Sequence, residues 1–275
     1  ALQETNNVLE QRVQDRTAAL TRSNSDLAQF AYIASHDLKE PLRMVTNYVQ
    51  LIEKRYSGQL DETGKLFMSY AVEGATRANR LIEDLLAYAK IDRKRHQKYV
   101  ATDLNAIMRQ VTQNLSLYIK EQKATVIIDD LPEIEAIPSQ MIQLFQNLIS
   151  NAIKFQRSNT LPQVEIMATE INNHFQFSIK DNGIGIDKTY TNKVFKIFQR
   201  LNPRNEYKGT GIGLAVCKKI AEGHGGQIWF DSMPNQGTTF YIALPKRQTQ
   251  FVPSPVLPQE ESVSFNIENT LYVAA

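Results

Sequence analysis

The sequence contains one cysteine, Cys217, in 275 residues. It therefore has no internal disulfide, and a lone thiol suits a reducing compartment. No apolar run is long enough to span a bilayer, and no signal-peptide pattern is present. The four histidines are scattered and show no zinc-ligand spacing with the cysteine. A formal net charge of +2 is too small to point to nucleic acid. What remains is a chain in which 42% of residues are hydrophobic, enough for real cores, at a length that suits two domains.

The first hundred residues hold few helix breakers. Val13, Leu20, Leu27 and Ala34 recur every seven residues, the spacing of a coiled-coil seam. The seam begins in mid-pattern without an N-terminal cap, as expected of a piece cut from a longer protein. Leu38, Leu42, Val45, Val49, Ile52 and Tyr56 follow at alternating spacings of four and three, until Ser57-Gly58 breaks the pattern. Met68, Ala71, Ala75, Ala78, Ile82, Leu85 and Ala89 form a second such series. Two long helices in a hairpin are expected. One hairpin leaves much of its stripe in water, whereas two hairpins from two chains bury it as a four-helix bundle. A homodimer is therefore expected from this region alone.

The pattern changes near Tyr99. A helix is expected over 103–120, opened by Asp103, with a strand over 124–128. A helix should run from Pro138, favoured in a first turn, to about Phe155. Strands are expected over 164–169 and 175–179, a short helix over 188–197, and a polar loop to Lys208. A helix over 211–223 and a hairpin of 227–231 with 238–244, turning at Asn235-Gln236-Gly237, complete the domain. Mixed but not alternating elements predict an α/β sandwich with helices on one face of a mixed sheet. The tail after Pro245, with Pro253, Pro255 and Pro258, reads as extended or disordered.

Four segments carry chemistry. In Ser35-His36-Asp37-Leu38-Lys39-Glu40-Pro41, Leu38 and Ala34 fall on the seam, so His36 should face outward. A neutral exposed imidazole is a nucleophile. Pro41 cannot donate to the carbonyl of Asp37, so the helix should bend nearby. In the second segment Asn147, Asn151 and Lys154, four and three apart, share one helix face. Their amide oxygens suit Mg²⁺ and the lysine suits phosphate. The third is Asp181-Asn182-Gly183-Ile184-Gly185-Ile186 at a strand end. There a carboxylate can accept from an amino group of a base, glycines let backbone approach the ring, and isoleucines can pack on it. The fourth is Gly209-Thr210-Gly211-Ile212-Gly213-Leu214, opening a helix, where a glycine nest and free N–H groups suit phosphate. It is neither a P-loop, since no Gly-Lys-Ser/Thr follows, nor the dinucleotide fingerprint. Arg200, Arg204 and Lys208 precede it in a polar loop. His224, before Gly225-Gly226, reads as a helix cap, and Cys217 as packing.

The segment from Phe30 to Arg43 closely resembles the phospho-acceptor box of sensor histidine kinases, most of all the branch attached to phytochrome-like and PAS-type sensors. The other three segments resemble that family's asparagine box and two glycine boxes. The stretch from Phe195 to Lys208 resembles its phenylalanine box and ATP lid. The resemblance spans roughly residues 20–245. It implies a coiled-coil helix (1–24), a dimerisation and histidine-phosphotransfer domain (25–97), a Bergerat-type ATP-binding domain (98–246) and a flexible tail (247–275). It further implies that ATP with Mg²⁺ phosphorylates His36, assisted by Asp37, and that the phosphoryl group passes to an aspartate in the receiver domain of a response regulator. By the same likeness Asn151 is the metal ligand and Asn147 its neighbour, and Asp181 fixes adenine with Gly183, Gly185 and Ile186. Lys154, Arg200, Lys208, Gly209, Thr210, Gly211, Gly213 and Leu214 complete the nucleotide site.

The resemblance also implies a cytoplasmic catalytic part, with an upstream sensor domain absent from this chain and the membrane attachment of the intact protein open. One position departs from the family. Many members carry Thr or Asn four residues after the histidine, where it positions a water for dephosphorylating the regulator, and here Glu40 stands. Two rivals are an ATPase of the gyrase, chaperone and mismatch-repair superfamily, which lacks a His36-type box, and a non-catalytic scaffold with a decayed site.

Overall fold

The structure is a computed structural model describing residues 2–56, 58–93, 98–200 and 209–247; for residues 2–34, 36, 92 and 93 side chains are described only in part or not at all. Helix α1 (Leu2–Tyr56) and helix α2 (Glu62–Arg93) form the expected hairpin. The amides of Gln59 and Leu60 both donate to the carbonyl of Tyr56, which stops α1. Asp61 then accepts from the amide of Gly64 at 2.7 Å, a side-chain cap that starts α2. Pro41 lies inside α1, which runs on without interruption. Lys39 of α1 meets Glu83 of α2 at 2.6 Å, pinning the hairpin one turn after His36. Leu38, Val45, Ile52 and Tyr56, the expected seam, are exposed in the single chain, as are Leu66, Phe67 and Tyr70 of α2.

The second domain has strand β1 (Val100–Asp103), helices α3 (Leu104–Asn114) and α4 (Ser116–Glu121), strands β2 (Thr125–Ile128) and β3 (Glu133–Ala136), and helix α5 (Pro138–Lys154). Strands β4 (Gln163–Ile171) and β5 (His174–Asp181), a 3₁₀ turn (Lys188–Tyr190), helix α6 (Gly213–Gly223) and strands β6 (Gln227–Met233) and β7 (Gly237–Pro245) follow. The main sheet has the order β2-β4-β5-β7-β6, with only β2 and β4 parallel, so it is mixed as expected. Its inner face presents Val164, Ile166, Phe177, Ile179, Phe240, Ile242 and Leu244, the alternate residues of each strand. Helices α5 and α6 cover that face, with Phe145 of α5 set edge-on to Phe177 at 5.9 Å.

Three local expectations change. The helix expected over 103–120 is two helices, because the backbone leaves helical geometry at Leu115 while the Leu115 side chain stays buried. The expected helix over 188–197 is a single 3₁₀ turn capped by Asp187, followed by irregular turns. Strands β1 and β3 pair as a small antiparallel ribbon that four-residue segments gave too short a pattern to reveal. The tail from 248 lies outside the described residues.

Candidate active site

Helix α5 divides its residues by face. Met141, Leu144, Phe145, Leu148, Ile149, Ala152 and Ile153 are buried against the sheet and α3. Gln143, Asn147, Ser150, Asn151 and Lys154 repeat at helical spacing along the other side and line a cavity of about 590 Å³. The polar stripe expected from sequence is therefore one wall of a pocket. The Asn147 amide donates to the carbonyl of Gly213 at 3.4 Å, which ties α5 to α6, and the Cys217 thiol of α6 donates to the carbonyl of Leu144 on α5. Asn151 lies one turn further along, on the cavity wall. Its neutral, hard amide oxygen suits Mg²⁺ beside phosphate oxygens. Among the described residues no cluster of three His, Cys, Asp or Glu side chains offers a metal cage. An ion held here would therefore take its further ligands from phosphate and water.

Asp181, at the end of β5, lines the same cavity. Its Oδ1 accepts from the amides of Gly183 at 2.8 Å and Thr238 at 3.0 Å. Burial pushes the Asp181 carboxyl up to about 6, against the opposing pull of these two amides. The glycines beside it meet protein backbone. A Cβ on Gly183 would lie 2.2 Å from the carbonyl oxygen of Phe155, and one on Gly185, at φ +70, would lie 2.0 Å from that of Met233. Ile184 uses this closeness, donating to Phe155 O at 2.9 Å and accepting from Asn235 at 2.7 Å. The glycines expected to let backbone approach a ring also stitch the Asp181 turn between α5 and the β6–β7 hairpin. Arg157 adds a staple, donating to the carbonyls of Asn182 and Asn235 at 2.9 and 3.0 Å. Ile184, Gly185 and Ile186 line the cavity.

Lys154 and Arg200 bring positive charge to the same cavity. Burial, with the charge of Arg200, lowers the Lys154 ammonium to about 8. A Cβ on Gly209 would meet Lys154 Nζ at 2.6 Å. Gly209, Thr210, Gly211, Gly213 and Leu214 line the same wall. Gly211 has φ +76, so α6 begins at Gly213 rather than at Gly211. Arg204 and Lys208 lie outside the described residues.

The phospho-acceptor segment is on α1. The backbone of His36 is helical, and its side chain lies outside what is described; Asp37 and Glu40 are exposed. Sequence reasoning did not find Arg80, Asp84 and Ala87 of α2, which line the cavity beside the glycine turn. Nothing in their spacing marks them, because another domain supplies the groups they face. Thr238 was also missed, since it acts through its backbone amide. Cys217 is buried with its thiol pushed up to about 12 by burial, as packing requires.

Two family profiles match the chain. One is the His Kinase A (phospho-acceptor) domain, over residues 26–94. The other is the Histidine kinase-, DNA gyrase B-, and HSP90-like ATPase, over residues 136–248. Phytochrome-like protein Cph1 of Synechocystis sp. is 48% identical over 226 residues, which is 82% of this chain and 30% of that protein. Sensor protein kinase WalK of Staphylococcus aureus is 33% identical over 224 residues, 79% of this chain and 53% of that protein. The chain thus spans 30% of the first of these relatives and 53% of the second. Among solved structures, full-length ShkA in complex with AMPPNP has the same fold, with a TM-score of 0.62 at 22% identity over 80% of this chain and 46% of that one. No helix among the described residues is long and apolar enough to cross a membrane.

Proposed function

We propose, from the premise that this chain belongs to the sensor histidine kinases, that it uses ATP to phosphorylate its own His36. The observation that carries the reading is the lining of one cavity, in which a desolvated carboxylate, Asp181, stands together with Lys154, Arg200 and a glycine turn. Those groups suit a nucleotide, with an exocyclic amino group to donate and a polyphosphate to be neutralised. The glycine turn meets α2 through Thr210 and Asp84, and α2 is the partner helix of the one that bears His36.

In the reaction a ring nitrogen of His36 attacks the γ-phosphorus in line. An N–P bond forms as the bond to the β,γ-bridging oxygen breaks, and ADP leaves. Asp37, adjacent on α1, takes the ring proton. Asp181 orients the base, and Lys154 and Arg200 neutralise charge on the phosphates. Asn151, with Asn147 beside it, would hold Mg²⁺, which supplies charge neutralisation at the phosphates. Catalysis is then mainly positioning and electrostatic stabilisation.

The phosphoryl group passes next to an aspartate in the receiver domain of a separate response regulator. The exposed apolar residues of the hairpin support a homodimer, in which a second hairpin covers Leu38, Val45 and Ile52. A lone buried thiol and a supply of ATP fit the cytoplasm. An acid-labile radiolabel from γ-labelled ATP on the parent chain, and none on His36→Gln, is the expected result. ATP hydrolysis without a labelled chain would instead favour a gyrase-like or chaperone-like ATPase.

A further inference from the structure

One carboxylate in the cavity wall is supplied by the other domain. Asp84 of α2 accepts a hydrogen bond from the Thr210 hydroxyl, in the glycine turn ahead of α6. It lines the cavity together with Arg80, one turn earlier on α2. Other groups that line the same cavity suit an anion. Lys154 and Arg200 share the cavity. Gly211 takes the positive φ of a nest, and α6 starts without a side-chain cap. Burial raises the Asp84 carboxyl and the charge of Glu83 adds to that, while Thr210 and Arg80 pull the other way.

The carboxylate is held in place by the rest of α2. Leu81, Leu85 and Tyr88 pack against the core of the ATP-binding domain, and Ile91 is buried in it. Lys219 of α6 lies over the Tyr88 ring at 4.0 Å and donates to the Tyr88 carbonyl at 3.2 Å. This contact brings a negative charge to the wall that the cavity's cations and glycine turn otherwise offer to phosphate.

We propose that Asp84 stands in for a nucleotide phosphate, so that docking of α2 on the glycine turn competes with binding of the polyphosphate tail. The inference rests on the ATP reading of the cavity and adds a regulation to it. In the docked arrangement the Thr210 hydroxyl has a carboxylate to satisfy. When ATP enters, two anions meet at one turn, and α2 is pushed off Thr210. The hairpin that carries His36 is thereby released from its docked position by the substrate itself. Adenosine, lacking phosphates, reaches Asp181 without displacing α2.

The test is calorimetric binding of ATP, ADP and adenosine to the parent chain and to Asp84→Asn, Asp84→Ala and Asp84→Glu. Removing one charge that faces a polyphosphate in a solvent-screened site is expected to tighten ATP about three- to tenfold. ADP should tighten less, and adenosine should not change. Asp84→Glu keeps the charge and should keep the parental ratio of ATP to adenosine affinity. Unchanged ATP affinity in both Asn and Ala variants overturns the proposal. So does a shift of adenosine as large as that of ATP, since a merely structural contact would move both. If neither parent nor variants bind ATP or adenosine, the ATP reading itself fails, and the inference falls with it.

Discussion

The backbone N–H of Ile137 donates to Nε2 of His224 at 3.1 Å, joining the residue before α5 to the residue after α6. Nδ1 of the same ring donates to the carbonyl of Ile220 at 2.8 Å, so the neutral tautomer with its proton on Nδ1 satisfies both bonds. The Tyr99 ring meets His224 edge-on at 5.2 Å, and its hydroxyl donates to Gly223 O at 2.7 Å. His224 therefore locks together the two helices that form the cavity's walls.

Burial lowers the His224 pKa from its usual 6.5, against the opposing effect of the Ile220 carbonyl. The unfolded chain takes up a proton below about 6.5 that the folded chain resists, so this residue costs stability as pH falls below that value. His224→Phe leaves the Ile137 amide without its acceptor and should cost about 1–3 kcal/mol at pH 8. Urea unfolding at pH 8 and 5.5 should show a smaller acid-induced loss in the variant than in the parent. Equal losses would assign the acid sensitivity elsewhere.

Asp181 behaves oppositely. Its folded pKa is raised to about 6, so the folded chain holds a proton that the unfolded chain releases above about 3.8. That contribution to stability is present at low pH and fades as pH rises through 6. For binding, the ionised form is the better acceptor. Adenosine, whose charge is constant in this range, should bind more weakly at pH 5 than at pH 7.5. Asp181→Asn can still accept from Gly183 and Thr238, so the fold should persist. Losing a hydrogen bond to a charged acceptor should weaken adenosine about 10- to 100-fold and flatten the pH profile. Calorimetry at the two pH values measures both effects.

Gly185→Ala tests the turn that holds Asp181. The new Cβ would lie 2.0 Å from Met233 O at a backbone φ of +70. The strain should cost about 2 kcal/mol or more and lower the melting temperature. Gly183→Ala, with Phe155 O at 2.2 Å, should behave alike. Either variant melting like the parent would show that the turn can shift to make room.

Much of this was legible in the sequence because it is periodic or local. The hairpin followed from its spacings of four and three, and α5 from Pro138 and the faces of Asn147, Asn151 and Lys154. The turn at Asp181 was found from its glycines, although what those glycines touch, the carbonyls of Phe155 and Met233, lies far away in sequence and could not be read. The contacts of Asp84 with Thr210 and of His224 with Ile137 are likewise pairings across the fold, with ordinary residues on both sides. No periodicity records them. Strands β1 and β3 escaped because four residues hold only two alternations, and their pairing with each other, rather than their composition, makes them strands.

The last prediction concerns Glu40, one turn after His36 and exposed on α1. On either side of it Lys39 is committed to Glu83 of α2 and Pro41 lacks an amide hydrogen, so Glu40 is free of the constraints its neighbours carry. A carboxylate at this spacing shares a helix face with the imidazole. It can accept from one ring N–H and leave the other nitrogen to attack. A nearby negative charge also favours imidazolium, which is not nucleophilic, but exposure screens that effect. Glu40 is therefore expected to support autophosphorylation and to be a poor substitute for the Thr or Asn that holds a water in related kinases. Glu40→Gln keeps the shape without the charge and should shift the pH dependence of autophosphorylation towards lower pH. Glu40→Thr should gain phosphatase activity towards a phosphorylated regulator, measured as loss of label with time. Rapid dephosphorylation by the parent chain, unchanged in Glu40→Ala, would remove Glu40 from both roles, because the water would then be positioned by other residues.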